Sequence, residues 1–268
     1  MARSALINVM VNAAIKAGRG LSRDFGEVEN LQVSLKGPGD FVSAADRRAD
    51  QVLIAELKKA RPAYGFLTEE TGEIPGDDKG NRWIIDPLDG TTNFLHGIPI
   101  FAVSIGLERE GHVVAGVVYN PVMNELYVAE RGGGAFLNDR RLRVAARKHL
   151  ADAVISTGNP PMLRSDDAYS DELRAIMARA AGVRRTGSAA IDLAWVASGR
   201  FDAFWHHGLS PWDTAGGMIV VREAGGFVTG ATGGDDSFST GSIVAGNEEM
   251  HRQVVALLAG SRKPQQGI

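Results

Sequence analysis

Between residues 4 and 25 the apolar positions Leu6, Val9, Met10, Ala13, Ala14 and Ala17 recur at steps of three and four, the period of an amphipathic helix. A second helix is expected from Ser43 or Asp46 to about Ala60, with Val52, Leu53 and Leu57 on its inner face and Pro62 beyond its end. Between the two, Lys36-Gly37-Pro38-Gly39-Asp40 breaks any period and reads as a flexible polar stretch able to form a flap. A short apolar run at 64–67 follows, and then Trp83-Ile84-Ile85, a buried strand expected to stop at Asp86-Pro87 because proline cannot donate to a ladder. Residues 101–107, 113–119, 125–129 and 132–136 alternate as strands of an antiparallel meander, joined by turns such as Glu110-Gly111 and Asn120-Pro121. From about Leu150 strands and helices alternate: strands at 153–156, 183–185, 201–205 and 243–245, and helices near 171–181, from Ser188, from about Trp212 to Ala224, and from Asn247.

Composition supports one folded unit. With 268 residues, 44% apolar and 23% charged, the chain has material for a large core and no sign of disorder. The change of pattern suggests one domain over 1–262, with sub-regions 1–148 and 149–262 and a tail at 263–268. A net charge of −3 offers no basic field, so nucleic acid is not an expected partner. Neither an apolar leader nor a membrane-length apolar run is visible, which makes a cytoplasmic location the default expectation. The absence of cysteine removes thiolate chemistry, so any metal must take oxygen or imidazole ligands; the six histidines are scattered.

The chemistry concentrates in Asp86-Pro87-Leu88-Asp89-Gly90-Thr91-Thr92-Asn93. A proline between two aspartates bends the chain so that both carboxylates can converge, which suits a hard divalent cation such as magnesium. Gly90 allows close backbone approach, and a helical turn starting at Thr91 would present amide groups to an anion. Thr68-Glu69-Glu70 adds carboxylates at the end of another short apolar run. Read alone, an Asp-Pro-x-Asp-Gly segment is most often a solvated turn; the combination with a strand too apolar for the surface points elsewhere.

These stretches, with residues 36–46 and Trp212-Asp213-Thr214-Ala215-Gly216, stand in the order and approximate spacing of the inositol monophosphatase family, which the chain resembles over about residues 5–258. The resemblance implies a sugar-phosphatase-like αβαβα sandwich of alternating helix and sheet layers, spanning the α+β and α/β classes, and a homodimer. It implies a phosphatase that needs two or three magnesium ions, is sensitive to lithium, and acts on a small phosphate monoester. By position, Glu69, Asp86 and the Leu88 carbonyl resemble ligands of a first ion, and Asp86, Asp89 and Asp213 those of a second. Asp46 and Thr91 match the pair that deprotonates the attacking water, with Glu69 beside them, and Gly90 and Thr91 the amides that meet the phosphoryl oxygens. Gly187-Ser188-Ala189 matches contacts to the substrate alcohol, and Lys36 a flap lysine near the metals.

Simpler roles remain open for several of these: Asp46, Ser188 and Asp213 as helix caps, Lys36 as a solvated loop residue. One departure stands out, since His206 occupies a position where the family commonly places a glutamate. Fructose bisphosphatase, histidinol phosphatase and nucleotide phosphatase activities occur among relatives. Thr92-Asn93 in place of Lys-Glu favours the inositol or polyol branch. A non-enzymatic alternative is a partner of the transcription machinery, as some bacterial relatives are.

Overall fold

The computed structural model describes residues 3–27, 33–37, 40–158, 167–235 and 237–261, with 33–37, 40–43 and 167 as backbone alone. Helix α1 (Ala5–Phe25) follows the periodic run, capped by Ser4, whose Oγ accepts a hydrogen bond from the Ile7 amide at 3.1 Å. Strands β1 (Val33–Gly37) and β2 (Asp40–Ser43) pair antiparallel before helix α2 (Ala44–Ala60). Strands thus occupy 33–37 and 40–43, on either side of residues 38–39 of the stretch read as a flexible flap. Lys36 lies in β1, and its side chain falls outside the described residues.

The larger sheet contains β3 (Tyr64–Thr68), β4 (Gly72–Ile74), β5 (Asp78–Asp89), β6 (Ala102–Arg109), β7 (His112–Asn120), β8 (Glu125–Glu130), β9 (Gly134–Leu137) and β10 (Arg140–Arg141), with the short helix α3 (Thr91–Leu95) after β5. Its order, β10-β9-β8-β7-β6-β5-β3-β4, is the expected meander extended by β3 lying parallel to β5. Glu110 and Gly111 both take positive φ, 49° and 76°, as a tight hairpin turn requires. β5 does not stop at Pro87. The ladder to β6 passes from the pair Asp86–Ser104 to Asp89–Ala102, an irregularity that leaves Pro87 where no amide donor is needed.

The smaller sheet has order β12-β11-β13-β15-β14, from β11 (Val154–Thr157), β12 (Gly182–Arg184), β13 (Ala203–His206), β14 (Phe227–Thr229) and β15 (Ile243–Gly246). Its helices are α4 (Asp167–Met177), α5 (Ala189–Ala197), α6 (Pro211–Glu223), α7 (Ser237–Thr240) and α8 (Glu248–Ser261). α4 lies earlier in the chain than its periodicity suggests, because residues 178–181 turn into β12 instead of extending the helix. β14 and α7, too short to show a period, were not expected.

Strand alternation produces the layers. Trp83, Ile85, Val103, Ile105 and Val117 join Met10, Leu21, Leu53 and Leu57 of α1 and α2, while Ile84, Val118 and Tyr127, on the opposite face, meet Ile191, Leu193, Met218 and Ile219 of α5 and α6. Phe204, Val228 and Ala245 cover the other side of α5 and α6, and Ile155, Trp205 and Val244 face Ile176, Met250 and Val254 of α4 and α8. The result is helix, sheet, helix, sheet, helix, the five layers the resemblance implies. Trp205 is wholly buried, whereas Trp195 and Trp212 are only partly so. α6 lies unusually close on the larger sheet: a Cβ built on Gly106 would sit 2.7 Å from that of Ala215, and one on Gly216 would sit 2.5 Å from Ser104 Oγ.

Candidate functional site

Because β3 and β5 run parallel, their carboxyl ends reach the same edge of the sheet, and the Glu69 amide donates to the Ile85 carbonyl at 3.2 Å. Glu69 and Asp86 are thereby brought to neighbouring strand ends. The first turn of α2 adds Asp46, and the first turn of α6 adds Asp213. Asp86, Asp89 and Asp213 each place a carboxylate oxygen within 4.8 Å of the others, and Asp46, Glu69 and Glu70 form a second such trio. Asp46, Asp86 and Asp89 are buried, so the charges meet where water screens them little.

The electrostatics follow. Burial first, and then repulsion from Glu69, Asp89, Asp213 and Asp46, hold the Asp86 carboxyl well above the usual carboxylate range. Asp213 is pushed up to about 8, chiefly by burial and then by Asp89. Asp89 rises only to about 6: burial raises it, while Ser188 Oγ, which donates to its Oδ2 at 2.5 Å, and the Ala190 amide, at 2.7 Å, favour its charged form. Proteins do not keep such a repelling cluster buried for stability alone, and its all-oxygen donor set is that of a hard divalent cation.

Local structure explains each placement. The Leu88 amide donates to Asp86 Oδ1 at 2.9 Å, closing the bend around Pro87. Gly90 takes φ 96°, and a Cβ there would lie 2.9 Å from the Ile100 carbonyl oxygen, so this position excludes a side chain. Thr91 opens α3, its Oγ1 lying 3.0 Å from the Leu88 carbonyl and 3.4 Å from Asp46 Oδ2. Asp213 is not a helix cap in the usual position: it stands third in α6 and accepts from the amide of the capping residue Ser210 at 2.7 Å. Asp46 is likewise inside its helix. Ser188 does cap α5, accepting from the Ile191 amide at 3.3 Å while it binds Asp89.

The side chain of Lys36 lies outside the described residues. His206 ends β13, buried against Phe204 and Gly158, and its described contacts do not include the clustered carboxylates. Its Nδ1 is 2.7 Å from the His207 carbonyl, which can only accept, so Nδ1 carries the proton. Burial pushes its pKa down to about 4, leaving a neutral ring at ordinary pH. Several supporting residues escaped the sequence reading: Asp50, one turn beyond Asp46, accepts from Thr71 Oγ1 at 2.5 Å and so ties the Glu69 turn to α2. Asp192, buried and pushed up by that burial, accepts from Thr186 Oγ1 at 2.9 Å. The spacing of Asp46 and Asp50 on one helix face was the available signal for the first. Nothing local marks the second.

The inositol monophosphatase family model matches residues 2–263. An inositol-1-monophosphatase of Mesorhizobium japonicum is 64% identical over 98% of both chains. The Nus factor SuhB of Escherichia coli is 44% identical over 96% of each. Among solved structures, the extragenic suppressor protein suhB of Bartonella henselae superposes with a TM-score of 0.93 at 58% identity, covering 99% of this chain and 100% of that one.

Proposed function

We propose, since this chain belongs to the inositol monophosphatase family, that it hydrolyses the phosphate monoester of a small polyol or sugar, such as an inositol 1-phosphate, with magnesium as its metal. The observation that carries this reading is the convergence of Asp213 with the buried Asp86 and Asp89, with Asp46 and Glu69 near enough to act on Asp86. Glu69, Asp86 and the Leu88 carbonyl would hold one ion, and Asp86, Asp89 and Asp213 a second, with Asp86 shared. Bound magnesium supplies positive charge to the phosphoryl oxygens and makes water easier to deprotonate. The chain supplies the proton path: water donates to Thr91 Oγ1, whose own proton passes to Asp46 Oδ2, 3.4 Å away. Gly90 and Thr91 amides, at the start of α3, are assigned to the phosphoryl oxygens, and Gly187, Ser188 and Ala189 to the alcohol.

A phosphate-release panel tests this reading, using inositol phosphates, sugar phosphates, fructose bisphosphate, histidinol phosphate and adenosine bisphosphate with magnesium or with a chelator. Turnover is expected on polyol or sugar monoesters, lost on chelation and inhibited by lithium. Undiminished turnover in metal-free buffer would sink the mechanism.

A second reading is favoured by the relative named a Nus factor: the same chain can also bind the transcription machinery. A pull-down with Asp86→Asn, in which catalysis is removed and the surface kept, separates the two roles. A homodimer is supported by Ile98, Val122 and Met123, each about 40% exposed on two loops joined by the bond from Asn120 Nδ2 to the Pro99 carbonyl. Sedimentation at increasing concentration checks it.

A further inference from the structure

Residues 185–188 form a strap between β12 and α5, and the carboxylate of Asp89 hangs from it. Ser188 Oγ at 2.5 Å and the Ala190 amide at 2.7 Å both donate to Asp89 Oδ2. Both donors come from the strap and its helix, so the orientation of the Asp89 carboxylate beside Asp86 and Asp213 is set by where the strap holds Ser188.

Thr186 fixes the strap from two sides. Its Oγ1 donates to Asp192 Oδ1 at 2.9 Å and accepts from the Ser188 amide at 3.3 Å, which binds the strap to α5. Its carbonyl accepts from Asn93 Nδ2 at 2.7 Å, and the same nitrogen donates to the Ile100 carbonyl at 2.7 Å, which binds the strap to the segment after Asp89. Gly187 takes φ 85° between them, and a Cβ there would meet the Asn93 amide at 3.0 Å. Asp192 is 1% exposed, which leaves its Thr186 partner little freedom to exchange with water.

We propose that Thr186 and Asp192 are positioning residues for cation capture: their hydrogen bond holds Ser188 where it orients the Asp89 carboxylate toward Asp86 and Asp213. The inference rests on the reading of Asp89 as a metal ligand. Neither residue belongs to the carboxylate trios, so the effect passes through Ser188.

The test uses the full chain and magnesium itself. Thr186→Val keeps the shape of the side chain and removes the hydroxyl, whereas Thr186→Ser restores it. Calorimetric titration with magnesium should show about tenfold weaker binding for the valine variant and near wild-type binding for the serine variant. Because Ser188 is also assigned to the substrate alcohol, KM should rise only together with the loss of magnesium affinity. Asp192→Ala should reproduce the valine result, and Asp192→Asn, which keeps an oxygen for Thr186, should not; this pair decides the matter if the valine variant does not fold. Wild-type magnesium binding that survives both Thr186→Val and Asp192→Ala overturns the role of the strap, as does a rise in KM without a change in magnesium affinity. A wild type that binds no magnesium overturns the reading of Asp89 as ligand, and the strap's role with it.

Discussion

At the scale of single residues, the crowding of carboxylates has a cost in stability that depends on pH. Asp213, pushed up to about 8, holds a proton in the folded chain that the unfolded chain releases near its ordinary value of 3.8. Between these values the folded state binds more protons, so stability falls as pH rises from about 4 to about 8. Asp89, raised to about 6, adds to the lower part of that window. The midpoint of thermal unfolding of the metal-free protein should therefore drop across this range, and Asp213→Asn should flatten the drop. The same variant should lower turnover by orders of magnitude, because it removes an anionic donor from the trio. Near-normal turnover of Asp213→Asn would overturn the reading of Asp213 as a metal ligand. His206 is a different case, being neutral and turned toward Gly158. His206→Glu would introduce an anion there and should change the ratio of kcat/KM between inositol phosphate and sugar phosphates, while His206→Gln, which stays neutral, should change it little. An unmoved ratio in the glutamate variant would detach position 206 from selectivity.

Among the elements, α6 matters most, since it carries Asp213 across the face of β5 and β6. Its approach depends on the missing side chain of Gly106, and the built Cβ 2.7 Å from Ala215 shows that Gly106→Ala must displace the helix or the strand. Overpacking of this kind costs about 1–3 kcal/mol. Denaturant unfolding should report that loss, and turnover should fall with it as Asp213 moves. Full activity in a destabilised Gly106→Ala protein would separate helix position from catalysis. These elements were unevenly legible in the sequence. The meander and α1, α2 and α8 have periods long enough to declare themselves, and the carboxylates of 86–89 stood out because they interrupt a run too apolar for the surface. The β1–β2 hairpin was obscured by its glycines, the passage of β5 through Pro87 by a bulge that removes the usual penalty, and β14 by its three-residue length. The Thr186–Asp192 and Asp50–Thr71 bonds join residues with no shared pattern, so only folding reveals them.

For the molecule as a whole, a ligand that binds the folded chain alone must stabilise it, and magnesium at 100 times its dissociation constant should contribute about 2.7 kcal/mol. A melting temperature that rises with magnesium in the wild type, and rises less in Asp89→Asn, would place that stabilisation at the trio; equal rises would place it elsewhere. No helix among the described residues is long and apolar enough to cross a membrane. The five layers also divide the site between distant parts of the chain. Asp46, Glu69, Asp86 and Asp89 come from α2 and the larger sheet, while Ser188, bonded to Asp89 from 99 residues further on, and Asp213 come from α5 and α6. Synthesis proceeds from the N-terminus, so a ribosome that has released the whole meander has still made none of the residues that orient Asp89 or complete the trio. A nascent chain is therefore expected to be inert toward phosphate esters until α6 has emerged and docked, and activity becomes a clock for that long-range step of folding.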